Sequence, residues 1–204
     1  MSICNCPLGA SLQSVDTQAC PWEFGQLQRI LVMRIKANDG DLNELAEPAV
    51  LATWTSAKSS EDSGKVVTLP TIFNPSITPG ESKIFGENSN ETPDGAGIVM
   101  GETASTLAGN FSQQQPSVIQ AIKSFECENI GIFIINAAGH IYGKKGKTEG
   151  AIRPIPAKSF FVKAPELGSS ETPTKSEFQF KMEWDWYHDL LEVKPTDFDA
   201  LLEL

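Results

Sequence analysis

The densest run of apolar residues in the chain covers residues 130–135, where isoleucines and a phenylalanine predominate. β-Branched and aromatic residues suit a pleated, half-buried surface. A glycine-containing turn at residues 136–139 and a second apolar piece at 140–142 follow. The pattern predicts a β-hairpin with a basic tip, formed by Lys144, Lys145 and Lys147. We expect its first strand to lie in the core, under a helix that begins at Pro116.

The clearest alternation of apolar and polar residues lies in residues 175–187. Successive side chains of a strand point to opposite faces of the sheet, so every second residue shares a face. The alternation therefore predicts one strand with an aromatic face directed into the core or a neighbour, made of Phe178, Phe180, Met182, Trp184 and Trp186.

Weaker patterns predict the remaining elements. Further strands are expected over residues 26–37, with a bulge and burial on both faces, and over 65–73, 105–113 and 151–163. A short helix is expected over residues 48–57 with Trp54 on its inner face, and a last one near the end, capped by residues 195–197. The fold class is therefore mainly β, a β-sandwich or barrel with one or two flanking short helices and long loops.

The predicted organisation is an N-terminal arm over residues 1–25, followed by a single β-rich domain over 26–204. That domain contains a long loop insertion at 74–106, rich in Gly, Pro, Ser, Asn and Glu, with apolar islands at Ile84–Phe85 and at residues 98–100. A loop of this length within a compact domain is usually either functional or disordered. A long β-hairpin or a loop that contacts another subunit is the expected form.

The net charge of the chain limits the kinds of molecule that it can bind. The 204 residues carry a formal net charge of −10 and a pI of about 4.7, which argues against a general nucleic-acid binder, because such proteins neutralise phosphates with Lys and Arg. No apolar run approaches the length of a membrane span, and the first residues lack the basic and apolar regions of a signal peptide.

Residues capable of chemistry are few and scattered. The cysteines, Cys4, Cys6, Cys20 and Cys127, lack the paired spacing typical of zinc sites. His140 and His188 are the two histidines available as a catalytic base, and no nucleophile motif accompanies them. We therefore expect no enzyme activity, no cofactor and no metal site.

Taken in order, these segments resemble tail tube proteins, virion structural proteins of phages and prophages that infect Bacteroidetes. The resemblance spans nearly the whole chain. It is carried by the N-terminal CPLG, QLQRILVMRI, AVLATWTSA, VVTLPTIFNP, the Gly-rich GENSNETPDGAGIVMG, the helix that begins at Pro116, IGIFIINAAGHIYG, the aromatic strand and the terminal PTDFDALLEL.

The resemblance implies a subunit that self-assembles into rings, six copies to a ring, whose inner strands form a continuous barrel. The rings stack into a tube that DNA passes without binding tightly, and other tail or neck proteins are partners. It implies a virion protein assembled in the host bacterial cytoplasm, without a membrane. The expected subunit contacts are Trp22, Phe24, Ile84, Phe85, Lys144, Lys145 and Lys147.

Three other functions remain open from the residues, and one of them is a small hydrolase that would use His140 or His188. A head-to-tail neck or terminator ring would form one ring without stacking. A surface β-sandwich module that binds sugar or protein would expose Trp184 and Trp186 in a cleft.

Overall fold

The computed structural model describes residues 25–86, 97–168 and 173–204. The strands are β1 (Leu27–Arg34), β2 (Val66–Thr68), β3 (Ile72–Thr78), β4 (Ser82–Phe85), β5 (Ile98–Glu102), β6 (Ser105–Ser112), β7 (Ile130–Asn136), β8 (Ile141–Lys145), β9 (Ile152–Arg153), β10 (Ile155–Val162), β11 (Lys175–Met182) and β12 (Leu190–Val193). The helices are α1 (Leu51–Ser59), α2 (Pro116–Lys123) and α3 (Ala200–Glu203), and a 3-10 turn, Ser124–Cys127, continues α2.

Strand β7 occupies the centre of the fold, as its apolar run predicts. All of its residues are buried, and one of its edges pairs antiparallel with β1 along almost its full length. Its other edge is divided, because β8 pairs beside Ile134 and Ile135 while β10 pairs beside Gly131 and Ile132. The predicted hairpin of β7 and β8 is confirmed.

Strand β10 joins two halves of one ten-stranded antiparallel sheet. Its first residues, Ile155 and Pro156, pair with β7, and its later residues from Ala157 onward pair with β11. We call one part, with the strand order β2-β1-β7-β8-β12 and with β9 beside β8, the first half. We call the other part, with the order β10-β11-β6-β3, the second half. The described strands form no closed barrel, so of the two predicted architectures the sandwich is the one observed.

Two hydrophobic clusters lie on opposite faces of the first half. The larger one combines side chains of both halves with Ile119 and Ile122 of α2, so it lies between the halves; it includes Ile30, Val32, Ile132, Ile134, Tyr142, Phe111, Phe160, Phe178 and Phe180. The second cluster covers the outer face of the first half with α1 and α3, and includes Leu31, Met33, Phe133, Ile135, Trp54, Ala200 and Leu204. Strands β1 and β7 are therefore buried on both faces, and the bulge predicted in β1 lies between Leu27 and Arg29.

Proline divides two of the predicted strands. Residues 65–73 form β2 and the start of β3, separated at Pro70, and residues 151–163 form β9 and β10, separated at Pro154. Proline has no N–H to donate to a neighbouring strand, so the ladder is interrupted at these positions.

The predicted strand over residues 175–187 is too long. Strand β11 ends at Met182, and residues 184–189 form successive turns in which Trp186 and His188 donate backbone N–H groups to the carbonyls of Glu183 and Asp185. The alternation is correct for Phe178, Phe180 and Met182, which are all buried. Trp184 is half exposed, whereas Trp186 packs against the larger cluster as predicted, although it lies beyond the strand. The apolar pattern continues past the point where the backbone leaves the sheet.

The caps of two helices also differ from the prediction. Helix α1 begins at Leu51 rather than at Pro48, and the Pro48 carbonyl accepts a hydrogen bond of 2.8 Å from the Trp54 indole. Asp199, not residues 195–197, caps α3 by accepting from the N–H of Leu201. The Asp197 carboxylate instead accepts from the N–H of Leu51, at 3.2 Å, and so caps α1.

The segment predicted as a long loop contains a β-hairpin of β4 and β5. These strands form a separate two-stranded sheet that is not part of the ten-stranded one. In the part of the chain that the structure describes, no helix is long and apolar enough to cross a membrane.

Candidate functional site

The outer face of the second half is open to solvent. In β11, Phe178, Phe180 and Met182 point into the larger cluster, so Gln179 and Lys181 point outward. Pairing between the strands places outward residues in rows: Phe161, Gln179, Ala108 and Ser76 form one, and Ser159, Lys181, Thr106 and Thr78 form the next. We call this surface the open face.

The open face differs in charge from the whole chain. The four strands of the second half carry three lysines and one glutamate, although the net charge of the chain is −10. The glutamate, Glu177, forms an ion pair with Lys163. Their hydrogen bond raises the pKa of the Lys163 ammonium and lowers the pKa of the Glu177 carboxyl. Most other outward side chains of these rows are small and uncharged.

The second half ends in two sheet edges with different protection. Strand β3 is last in the strand order, and it is interrupted by a bulge that contains Asn74 (φ 48°) and Pro75. Past Pro156, β10 pairs only with β11 among the described strands. There the N–H of Val162 donates to the Glu126 carboxylate at 2.9 Å. A bulge, a proline and a side-chain cap all limit uncontrolled pairing of an edge.

The hairpin of β4 and β5 presents apolar side chains to solvent on both of its faces, because the successive cross-strand pairs Ile84–Val99 and Phe85–Ile98 point in opposite directions. Every residue of both strands is exposed, and the apolar ones are between 46% and 65% exposed: Ile84, Phe85, Ile98, Val99 and Met100. At its base Thr103 holds Glu81 with two hydrogen bonds, of 2.8 and 2.9 Å. The predicted contact residues Ile84 and Phe85 therefore lie on an accessible surface.

A groove of about 400 Å³ lies at the other end of the second half, lined in part by Phe73, Asn110, Leu167 and Lys175. One wall is held by a pair of backbone hydrogen bonds, of 2.8 and 3.2 Å, between Glu166 and Lys175. Leu167 is 87% exposed. The sequence pattern does not reveal this groove, because Leu167 is an isolated apolar residue in a polar segment and Phe73 lies at the end of a predicted strand.

The basic tip of the β7–β8 hairpin is only partly available for contacts. Lys144 is a buried residue, 6% exposed, and its ammonium lies 3.5 Å from the carbonyl of Asp185 in the same chain. Lys145 is exposed, and the Lys147 ammonium lies 3.8 Å from the Asp41 carboxylate. The expectation of a three-lysine tip is therefore wrong for Lys144, which strand β8 carries into the protein interior.

Several predicted residues lie outside the described part of the chain, namely Trp22, Phe24, Cys4, Cys6 and Cys20. Cys127 is exposed and has a free thiol. Among the described residues, no group of three or more His, Cys, Asp or Glu side chains is placed to hold a metal ion.

The two histidines form separate pairs with acidic residues. His140 Nδ1 lies 2.6 Å from Glu192 Oε1, which also accepts from the Tyr142 hydroxyl at 3.0 Å. Burial and Glu192 raise the pKa of the Tyr142 hydroxyl, so it stays a donor. His188 Nδ1 lies 3.0 Å from Asp189, on the exposed turn.

The tryptophans that would form a sugar-binding cleft differ in exposure. Trp184 is 48% exposed, whereas Trp186 packs against the larger cluster. They do not form one shared aromatic surface.

The chain has a distant likeness to a solved structure. No family model matches the chain, and no curated protein matches it. The fold is similar to a chain of a solved structure described as "Tail of empty GTA particle computed with helical refinement, C6 symmetry". The TM-score is 0.35 with 15% sequence identity, and the likeness covers 59% of this chain and 83% of that chain.

Proposed function

We propose that this chain is the subunit of a phage or prophage tail tube, which assembles into stacked rings of six copies around a channel for DNA. The proposal rests on the sequence resemblance to tail tube proteins of Bacteroidetes phages and on the open face of the second half. It describes a structural protein of the virion, assembled in the host cytoplasm, without enzyme activity, cofactor or metal.

The observation that carries the proposal is that one side of the second half is core and the other is open. A four-stranded sheet can continue from copy to copy by pairing along the stretches of its edge strands that the bulge of β3 and the Glu126 cap on β10 leave uncovered. In such a ring, β3 of one copy would lie beside β10 of the next, and closure would remove both edges. The rows of the open face would then line the channel.

The composition of the open face suits the passage of DNA. Tight binding requires many cationic side chains that replace the counterions of the phosphates. Here Thr106, Ala108, Asn110 and Gln179 occupy central positions of the rows, and Glu177 is paired with Lys163. Of the three lysines in these strands, Lys158 and Lys175 form ion pairs with Glu183 and Glu166. In this arrangement DNA slides because most of the cationic groups on the wall are already paired with carboxylates.

The remaining predicted contacts would join copies to one another. Ile84 and Phe85 on the hairpin and Lys145 and Lys147 at the basic tip are surface residues that a neighbouring copy can reach. Trp22 and Phe24 of the N-terminal arm belong to the same proposal on sequence grounds. Other tail or neck proteins would meet the last ring at each end of the tube.

Electron microscopy and sedimentation of the purified protein test the assembly. Rings and stacked tubes are expected, whereas single rings that never stack would instead indicate a neck or terminator protein. A protein that stays monomeric at all concentrations and is absent from virions would exclude both.

Substitution within the open face tests the position of the channel. Tubes of the Gln179→Lys variant should retain duplex DNA at low salt and release it as salt rises, because each ring adds several cationic groups. The matched control is Gln120→Lys, which adds the same charge on the exposed side of α2. Equal DNA retention by the two variants would place the open face outside the channel.

A further inference from the structure

We infer that the Glu126 side chain is a removable cap on β10. It keeps this edge of the second half from pairing in the single subunit, and it leaves the edge when a neighbouring copy pairs there. The inference rests on the proposed function and assigns the regulation of ring closure to one residue.

Glu126 covers an N–H group that a neighbouring strand would need. In an antiparallel strand, successive N–H groups point to opposite edges. The N–H of Lys163 donates to the Glu177 carbonyl of β11 at 2.8 Å, so the N–H groups of Phe160 and Val162 point to the other edge of β10. The Val162 N–H donates to Glu126 Oε1 at 2.9 Å. One of these two N–H groups is therefore already occupied within the subunit.

The cap can leave without movement of the backbone. Glu126 lies in the 3-10 turn that follows α2, and no residue of this turn is buried. The turn is held on both sides of Glu126, because Phe125 packs against the larger cluster and Glu128 accepts two hydrogen bonds from the Arg34 guanidinium, of 2.8 and 2.9 Å. Rotation of the Glu126 side chain alone therefore uncovers β10.

Pairing with a neighbour can begin before the cap leaves. Beyond Pro156, β10 pairs only with β11 among the described strands. The Phe160 N–H lies two residues before Val162, roughly 7 Å away along the strand. A neighbouring β3 that bonds Phe160 brings its next carbonyl groups close to Val162, where they compete with the Glu126 carboxylate.

The exchange of the cap for a neighbouring strand favours a complete contact over a partial one. A hydrogen bond to a charged group is stronger than a bond between neutral groups. Replacement of the carboxylate by one carbonyl is therefore unfavourable by itself. A neighbour that also bonds Phe160 and covers the rest of the edge compensates for this loss, whereas a strand that pairs at a single position does not. The cap thus selects the ring contact against irregular pairing of the edge.

Two variants of the full-length protein test the cap. Glu126→Ala removes the carboxylate, so rings should form at a protein concentration at least about tenfold lower than the wild type requires. In the single subunit, the Val162 N–H of this variant should exchange with deuterium faster. Glu126→Gln keeps an acceptor oxygen without the charge and should lie between the wild type and Glu126→Ala in both measurements. The melting temperature should change little, because the turn contains no buried residue.

Glu128→Gln is the matched control for charge. It removes one charge from the same turn but keeps an oxygen for Arg34, so it should change neither the exchange of the Val162 N–H nor the concentration at which rings form. Sedimentation and electron microscopy measure ring formation, and nuclear magnetic resonance measures the exchange.

The outcomes separate this inference from the proposed function. If the wild type forms rings and Glu126→Ala needs the same or a higher concentration, the inference is wrong and the tail tube proposal stands. Rings at an equally lowered concentration in Glu128→Gln would also overturn the inference, by assigning the effect to net charge. Failure of both the wild type and Glu126→Ala to form rings would overturn the proposed function, and this inference with it.

Discussion

Gly80 lies directly against the backbone of Thr103, so close that a β-carbon on Gly80 would be 1.9 Å from the Thr103 carbonyl oxygen. This approach occurs where the β3–β6 ribbon passes into the β4–β5 hairpin, and the Thr103 hydroxyl accepts from the N–H of Glu81 there. The absence of a side chain at Gly80 thus sets how the hairpin leaves the sheet.

Replacement of Gly80 by alanine should loosen the hairpin without unfolding the core, because the hairpin is separate from both hydrophobic clusters. We expect faster proteolysis between residues 80 and 103 and impaired stacking of rings, with little change in the melting temperature. The control is Ser82→Ala, on an exposed residue of β4. A large drop in melting temperature would mean that the hairpin base supports the core.

Trp54 should be the principal anchor of α1. It is fully buried, meets Phe133 edge-to-face at 5.2 Å between ring centroids, and donates to the Pro48 carbonyl. Trp54→Ala should lower the free energy of unfolding by about 3–5 kcal/mol. Trp54→Phe should cost less, about 1–2 kcal/mol, since it mainly loses the hydrogen bond. Urea denaturation measures both, and Thr55→Ala on the exposed side is the neutral control.

Asp197 should stabilise α1, although it is 146 residues away in sequence from Leu51. Removal of a cap that satisfies a free N–H at a helix start costs about 1 kcal/mol, so Asp197→Ala should lower the free energy of unfolding by about that amount. Glu47→Ala removes the same charge near the start of α1. Equal effects of the two substitutions would mean that Asp197 stabilises α1 through its negative charge alone and not through the hydrogen bond to the Leu51 N–H.

Glu44 should make stability depend on acid pH. The hydrogen bond from the Thr148 hydroxyl, helped by the Lys147 amide, lowers the pKa of the Glu44 carboxyl below its usual value. A carboxyl whose pKa is lower in the folded state contributes stability above its unfolded pKa and loses it as pH falls through the folded value. Wild type should therefore be more stable than Glu44→Gln near neutral pH, and the difference should disappear in acid. A difference that persists at low pH would contradict this account.

Lys144 and Lys145 should respond differently to charge reversal. Lys145→Glu changes an exposed residue and should weaken assembly with an unchanged melting temperature, if the basic tip reaches an acidic patch of a neighbour. Lys144→Glu buries a carboxylate beside the Asp185 carbonyl and should destabilise the subunit itself. Thermal melting measures the stability of the subunit, and sedimentation measures its assembly. If Lys145→Glu unfolds the subunit, Lys145 stabilises the fold and the predicted contact with a neighbour is wrong.

The sequence by itself determined the elements whose pattern is local. The apolar run of residues 130–135 predicts a core strand, and the alternation through Phe178, Phe180 and Met182 predicts the inward face of β11. Both hold because the direction of a side chain along a strand depends only on its position in the repeat. The start of α2 at Pro116 holds for a similar reason, since proline suits the first turn of a helix.

Only the tertiary structure decided which elements meet and which surfaces stay open. The alternation that reaches Trp186 contains no sign that the backbone turns after Met182, and the basic run 144–147 does not show that β8 draws Lys144 inside. Likewise, Ile84 and Phe85 are apolar in the sequence, but their exposure follows from pairing of β4 with β5 alone. Strand pairing and burial depend on contacts between residues that are far apart in the sequence. Ala108, for example, pairs with Gln179 on one side and with Ser76 on the other. The repeat of apolar residues within one segment does not specify such contacts.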